Sequence, residues 1–296
     1  MTATHDALHR FRLDLAGVRG GLVRLESSWQ EILEHASYPA EVTRLLGEAL
    51  AASALFAGQI TFEGRLSIQL HGAGALRLLF AECTHEGRLR GIARLDDAQS
   101  HARVALDQAG ARLAITIENA RTDSRHQGLV PVEGTSLSSA FEGYFERSEQ
   151  LPTRIVLAAG GGRCAGILLQ QVPDEGGRAA ANDPDAWNRV GMLLATLTER
   201  ELLDLPVETV LGRLFHEEGV WLDESRPLAF ECNCSRERVV AMLRALGPAE
   251  GVAALDAQGI VEITCEFCNR QYRLDRVDVA ELFAGMPAAP GSPTSH

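Results

Sequence analysis

The sequence predicts an α+β protein with three parts: an antiparallel-rich sheet core with packed helices, a helical linker, and a small C-terminal four-cysteine domain. Three observations lead there. Up to about Gln171, short apolar alternations separated by tight turns outnumber helical stretches. Between Trp187 and Phe215, apolar residues recur at helical spacing in short pieces. Finally, four of the six cysteines crowd into 37 residues, as C-x-C, a gap of 30 residues, then C-x-x-C.

The elements follow in order. Residues 1–10 carry no pattern and are expected to be frayed. Residues 11–25 (FRLDLAGVRGGLVRL) read as strand, turn, strand. Ser28-Trp29-Gln30-Glu31 has capping-box spacing, so a short helix is expected from Ser28. Pro39 opens a longer helix with Val42, Leu45, Leu46, Ala49, Ala52 and Phe56 on one face. Strand signals follow: Ile60 and Phe62, then Leu66, Ile68 and Leu70 across Glu63-Gly64. Two further runs, 76–80 and 89–95, flank the turn His85-Glu86-Gly87, and Leu113, Ile115 and Ile117 alternate again. Short connections between such runs imply antiparallel pairing. A helix over 137–149 places Phe141, Tyr144 and Phe145 together, and strands 153–159 and 164–171 enclose Gly160-Gly161-Gly162. The stretch 173–184 (PDEGGRAAANDP) breaks the pattern as a linker should. Short helices then carry Trp187, Val190, Leu194 and Leu197, and Leu202 through Phe215, with breaks near Thr198 and Pro206. Pieces this short need a surface to lie on. The tail, 287–296, is Pro/Ser-rich and expected to be disordered.

Composition removes several functions. The hydrophobic fraction of 46% in 296 residues excludes a wholly disordered chain. At about 150 residues per domain it suggests two units and a connector. Lys+Arg is 28 and Asp+Glu is 40, a net charge of −12, which argues against nucleic-acid phosphate and anionic membranes as partners. All the basic residues are arginine, so no lysine Schiff base or P-loop lysine exists. The start, MTATHDALHRFRLDL, has no apolar h-region, and the most apolar run, LLGEALAASALFAG, carries Glu48. The expected compartment is the cytoplasm, where thiols stay reduced and serve as metal ligands or redox groups.

The chemistry lies in Cys232, Cys234, Cys265 and Cys268. A C-x-x-C turn presents two sulfurs to one metal, and a C-x-C pair in extended chain does the same. The 30 residues between the pairs accommodate a helix (Arg236 to Leu246) and a strand leading into Cys265. No histidine lies between Cys232 and Cys268. The expected site therefore holds one zinc in four thiolates, closed to substrate and so structural rather than catalytic. A segment this short has a marginal core, and its folding should depend on the metal. Both pairs are also close enough in sequence to be oxidised within themselves. Arg236, Arg238, Arg270 and Arg273 either offset the charge of the site or are solvated surface residues.

The cysteine pattern, with FECNCSRERV around the first pair and ITCEFCNRQYRL around the second, resembles the heat shock protein 33 family of redox-regulated holdase chaperones. So do VRGGLVRL, RGIARL, YFERSEQLPTR, LTERELLDLP and RLFHEE upstream, and the likeness runs from about Phe11 to Phe283. The resemblance implies a core domain over 1–172 that binds clients and dimerises, a linker over 173–231 that unfolds on activation, and a zinc-binding redox switch over 232–286. It implies a reduced, zinc-bound, inactive form. Oxidation would join Cys232 to Cys234 and Cys265 to Cys268, release zinc and disorder the linker. The exposed surface would then bind unfolding proteins without ATP under oxidative stress, commonly as a homodimer.

Three other readings compete. A static zinc ribbon binding nucleic acid or protein would use Arg236, Arg238, Arg270, Tyr272, Arg273 and Arg276, but the chain is acidic. A thiol–disulfide oxidoreductase would place its C-x-x-C at a strand-to-helix turn, whereas here it lies between two expected strands. A hydrolase finds only His216-Glu217-Glu218, without a second histidine at helical spacing. Enzymatic activity is not expected. Cys83 and Cys164 are expected to be buried thiols acting as small hydrophobes.

Overall fold

In a computed structural model of the chain, alternation near the N-terminus builds a hairpin, β1 (Ala7–Leu13) and β2 (Val18–Leu25), with Gly17 at positive φ in the turn. Residues 6–284 are described, except 97–103, 105, 107–109, 133, 172–182 and 184. The tail and most of the 173–184 break lie outside the described residues. The chain divides into two units, Met1–Glu231 and Cys232–His296.

The frayed start is corrected at residues 7–10, which are strand because they pair with Gly21 to Arg24 of β2. The next helix, α1 (Ser27–Glu34), does not use Ser28 as its cap. The buried Asp6 carboxylate does that work instead, accepting from the backbone N–H groups of Glu26, Ser27 and Ser28 at 2.6–3.2 Å. Sequence spacing cannot show a cap supplied from twenty residues away.

Helix α2 (Ala40–Gln59) follows Pro39 as expected, but it is buried on every side from Leu45 to Gly58, not along one stripe. It packs against both large sheets, and its alanines and glycines allow the approach. A Cβ on Gly47 would stand 2.7 Å from that of Ala159. The helix runs through Gln59 and leaves Ile60 and Phe62 outside any strand, contrary to expectation.

The second sheet is built from β3 (Gly64–Ala73), β4 (Leu76–Thr84), β5 (Arg88–Leu95), β6 (Arg112–Asn119) and β7 (Ser124–Pro131). Its order, β5-β4-β3-β6-β7, is antiparallel throughout. Next come α3 (Leu137–Tyr144) and a wider π-type turn, Phe145–Glu149, with Phe141, Tyr144 and Phe145 all buried. β8 (Thr153–Gly160) and β9 (Arg163–Gln171) form a hairpin whose turn is Gly161-Gly162, both at positive φ.

The short helices are α4 (Ala186–Leu194), α5 (Glu199–Asp204) and α6 (Val207–Phe215). Thr198 caps α5 in a capping box with Glu201, and Pro206 precedes α6, so both expected breaks form. Three short strands follow: β10 (Val220–Leu222), β11 (Arg226–Pro227) and β12 (Ala229–Phe230). β10 and β11 pair with β1, completing a first sheet ordered β10-β1-β2-β9-β8; β12 pairs with β5, the one parallel pairing among the described strands.

Two apolar clusters result in this unit. One gathers around α2, between the sheets. The other lies on the opposite face of the first sheet, where Phe11, Leu13, Leu22, Ile167 and Leu169 meet Val190, Leu194, Leu202, Val210, Leu214 and Phe215. The short helices therefore have their surface. Arg189 of α4 fastens the layer by bonding both oxygens of the buried Glu218 at 2.7 and 2.9 Å. Glu218 thus has a structural partner, and His216, exposed at the surface, lies 3.8 Å from the Glu217 carboxylate.

The second unit holds α7 (Arg236–Leu246), α8 (Pro248–Ala253), β13 (Ile260–Thr264), β14 (Gln271–Asp275) and α9 (Arg276–Phe283). Among the described residues, its buried apolar set is Val239, Leu243, Val261, Tyr272, Leu274, Val279 and Leu282.

Candidate metal centre

Cys232 and Cys234 lie in the extended chain just before α7, whose N-cap Ser235 accepts from the Arg238 N–H. Cys265 and Cys268 lie in the tip of the β13–β14 hairpin. The last strand pair there is Thr264 with Gln271, and the loop closes through Cys265 N–H to Arg270 O and Asn269 N–H to Cys265 O. Asn269, at φ 52°, supplies the left-handed turn. The C-x-x-C thus sits between two strands.

The two pairs converge. All four sulfurs lie within 4.8 Å of one another, with Cys232 Sγ 3.5 Å from Cys265 Sγ and Cys234 Sγ 3.4 Å from Cys268 Sγ. All four are free thiols and partly buried. A tetrahedral zinc with bonds of about 2.3 Å separates its sulfurs by about 3.8 Å, so the arrangement fits a tetrathiolate ion closely. An all-thiolate donor set also selects soft metals. Backbone N–H groups of Cys234 and Arg270 donate to the sulfurs of Cys232 and Cys268.

Burial pushes the Cys232 and Cys268 thiols up. Burial acts on Cys234 in the same sense, but hydrogen bonds from the Tyr272 hydroxyl and the neighbouring thiols outweigh it and bring the thiol down to about 7. Cys234 is thus held as a thiolate more readily than Cys232 or Cys268. The other two cysteines differ. Cys83 and Cys164 are each 1% exposed, in the core of the first unit. Burial pushes Cys83 up to about 12 and Cys164 well above its ordinary value, so both are inert.

The four arginines divide their roles. Arg236 bonds Asp278 and the carbonyl of Arg273, Arg273 pairs with Glu262, and Arg238 donates its backbone N–H to the Ser235 cap. Arg270 stands beside Tyr272, whose hydroxyl donates to Cys234 Sγ. The sequence reading counted Tyr272 only toward nucleic acid. The overlooked signal was the two-residue period of β14, which turns Tyr272 and Leu274 inward together.

Fold and site define a class: a mixed α+β protein with a helical layer on one sheet and an all-thiol centre in a small C-terminal unit. Comparison narrows it. The family model described as Hsp33 protein matches residues 6–275. The 33 kDa chaperonin of Chromobacterium violaceum is 44% identical over 282 residues, covering 94% of each chain. That of Nitrosococcus oceani is 42% identical over 291 residues, covering 98% of this chain and 99% of its own. A crystal structure of the Thermotoga maritima 33 kDa chaperonin superposes with a TM-score of 0.77 at 20% identity, over 95% of this chain and 98% of that one, a likeness of fold. The chain belongs to the Hsp33 family of chaperones.

Proposed function

We propose that the protein is a redox-regulated, ATP-independent holdase acting in the cytoplasm. Residues 1–172 form the client-binding and dimerising core, 173–231 the linker that unfolds on activation, and 232–286 a zinc-binding switch. The observation that carries this reading is the pairing of a four-thiol cluster with a unit whose buried apolar set, among the described residues, is seven side chains.

Zinc, when bound, supplies a four-way cross-link between 232–234 and 265–268. Such sites contribute about 10–16 kcal/mol, comparable with the whole stability of a domain. The thiols of Cys232, Cys234, Cys265 and Cys268 are also the oxidisable groups. With peroxide as oxidant, Cys232 with Cys234 and Cys265 with Cys268 each give up two electrons to form one disulfide, and each peroxide is reduced to two waters, the two protons coming from the thiols or, where the sulfurs are thiolates, from solvent. A disulfide sulfur no longer donates as a thiolate, so each bond removes two ligands and the cross-link is lost.

The consequence for binding follows from the helical layer. Helices α4–α6 cover apolar residues of the first sheet. Uncovering several hundred Å² costs on the order of 10 kcal/mol, a sum the metal site is large enough to decide. The uncovered area is the kind of surface that binds unfolded chains without sequence preference. The test joins stoichiometry to activity. Reduced protein is expected to contain one zinc per chain; peroxide with mild heat should convert four thiols to two disulfides, free the zinc and suppress light scattering by an aggregating client. Scattering unchanged by fully oxidised protein would contradict the holdase reading.

A further inference from the structure

The inward face of β14 carries a hydroxyl with two polar partners. Tyr272 stands opposite Ile263 in the hairpin and is 9% exposed, its ring forming part of the small core. Its hydroxyl donates to Cys234 Sγ at 3.1 Å. The same hydroxyl is hydrogen-bonded to the Arg270 side chain. A guanidinium has donors only, so the phenol oxygen accepts from Arg270 while its proton points at sulfur. The bonds run in one direction, cation to phenol to sulfur, and polarise one another.

The chemistry at the sulfur follows. A thiolate that accepts a hydrogen bond holds its lone pairs at lower energy. It remains a metal ligand but reacts more slowly with protons and electrophilic oxidants. The ring belongs to the same buried cluster as Leu274 and Val261, which favours this placement of the hydroxyl. From this juxtaposition we propose that Tyr272, backed by Arg270, is a positioning residue of the metal centre: it orients Cys234 and sets how firmly the bound ion is kept. The proposal rests on the metal-binding reading above. Outer partners of metal ligands typically govern about 10- to 100-fold in affinity.

The experiment uses the full-length chain, unmutated and as Tyr272→Phe and Arg270→Gln. Zinc affinity is measured by competition with a chromogenic chelator, and the sulfur-to-metal charge-transfer band is recorded after loading with cobalt(II). Tyr272→Phe is expected to weaken zinc binding about tenfold or more, to speed its peroxide-driven loss and to shift the cobalt band to longer wavelength. Arg270→Gln, which leaves the ring in place, should move all three in the same direction by less. The band reports the electron density on sulfur and would not follow a general loosening of the unit. Affinity within about twofold and an unshifted band in Tyr272→Phe would overturn the proposal. Should that variant fail to fold, the same null result in Arg270→Gln would overturn it. Failure of the unmutated chain to take up zinc or cobalt would remove the metal reading itself, and this proposal with it.

Discussion

The two units of this chain solve the problem of stability in opposite ways. The first buries a 20-residue helix between two sheets and covers the far face of one sheet with three more helices. The second, among its described residues, has seven buried apolar side chains, with Cys234 and Cys265 of the four-thiol cluster packed against them. Cysteines record the contrast: Cys83 and Cys164 are sealed in apolar core and held as thiols, whereas Cys234 is brought down to about 7 by the hydrogen bonds that converge on it. On the metal-binding reading, the lesson is that a unit held by apolar burial has no chemical off-switch, while one held by sulfur–metal bonds would have one at each sulfur.

The sharpest way to break that comparison is to remove one ligand. Cys265→Ser is expected to abolish tight zinc binding, removing a contribution of about 10 kcal/mol, and to unfold the second unit. On the holdase reading it also loosens residues 183–231. Limited proteolysis checks both, and unaltered resistance across the linker and the second unit would refute the coupling.

The reverse experiment attacks the core. Leu50, fully buried on α2, should cost about 2–5 kcal/mol as Leu50→Ala by cavity formation. The loss should appear in the melting of the first unit and leave zinc affinity unchanged.

The smallest effect is one of pH. Burial pushes the Glu48 carboxyl up to about 7, against the pull of the neighbouring Arg44. The folded protein therefore holds this proton more tightly than the unfolded chain does. The resulting stability is fully present below about pH 4.5, falls as pH rises toward 7, and is about 3 kcal/mol in all. Glu48→Gln should flatten that part of the stability profile, as read by denaturant unfolding between pH 5 and about 8.

How much of this was legible in the sequence depended on range. Alternation revealed β3 to β6 and the β8–β9 hairpin because one face of each strand meets a core. It failed for β7, an edge strand paired with β6 whose Ser-Arg-His-Gln stretch is largely exposed. Helical period located α2 but not its all-round burial, because alanine and glycine on a second face look like solvent positions until another sheet arrives. The Asp6 cap was invisible for the same reason: it is a contact between distant segments. The four thiols were legible because metal geometry is written into spacing, C-x-C and C-x-x-C. Tyr272 was not, since its hydroxyl reaches sulfur only after β14 pairs with β13.

The central claim is that order in the helical layer answers to the state of four sulfurs. Amide hydrogen exchange on the full-length protein, before and after peroxide with mild heat, tests it most directly. Protection should collapse across α4–α6 and the second unit while α2 keeps its own. Protection in α4–α6 that survives conversion of all four thiols to disulfides would contradict the account.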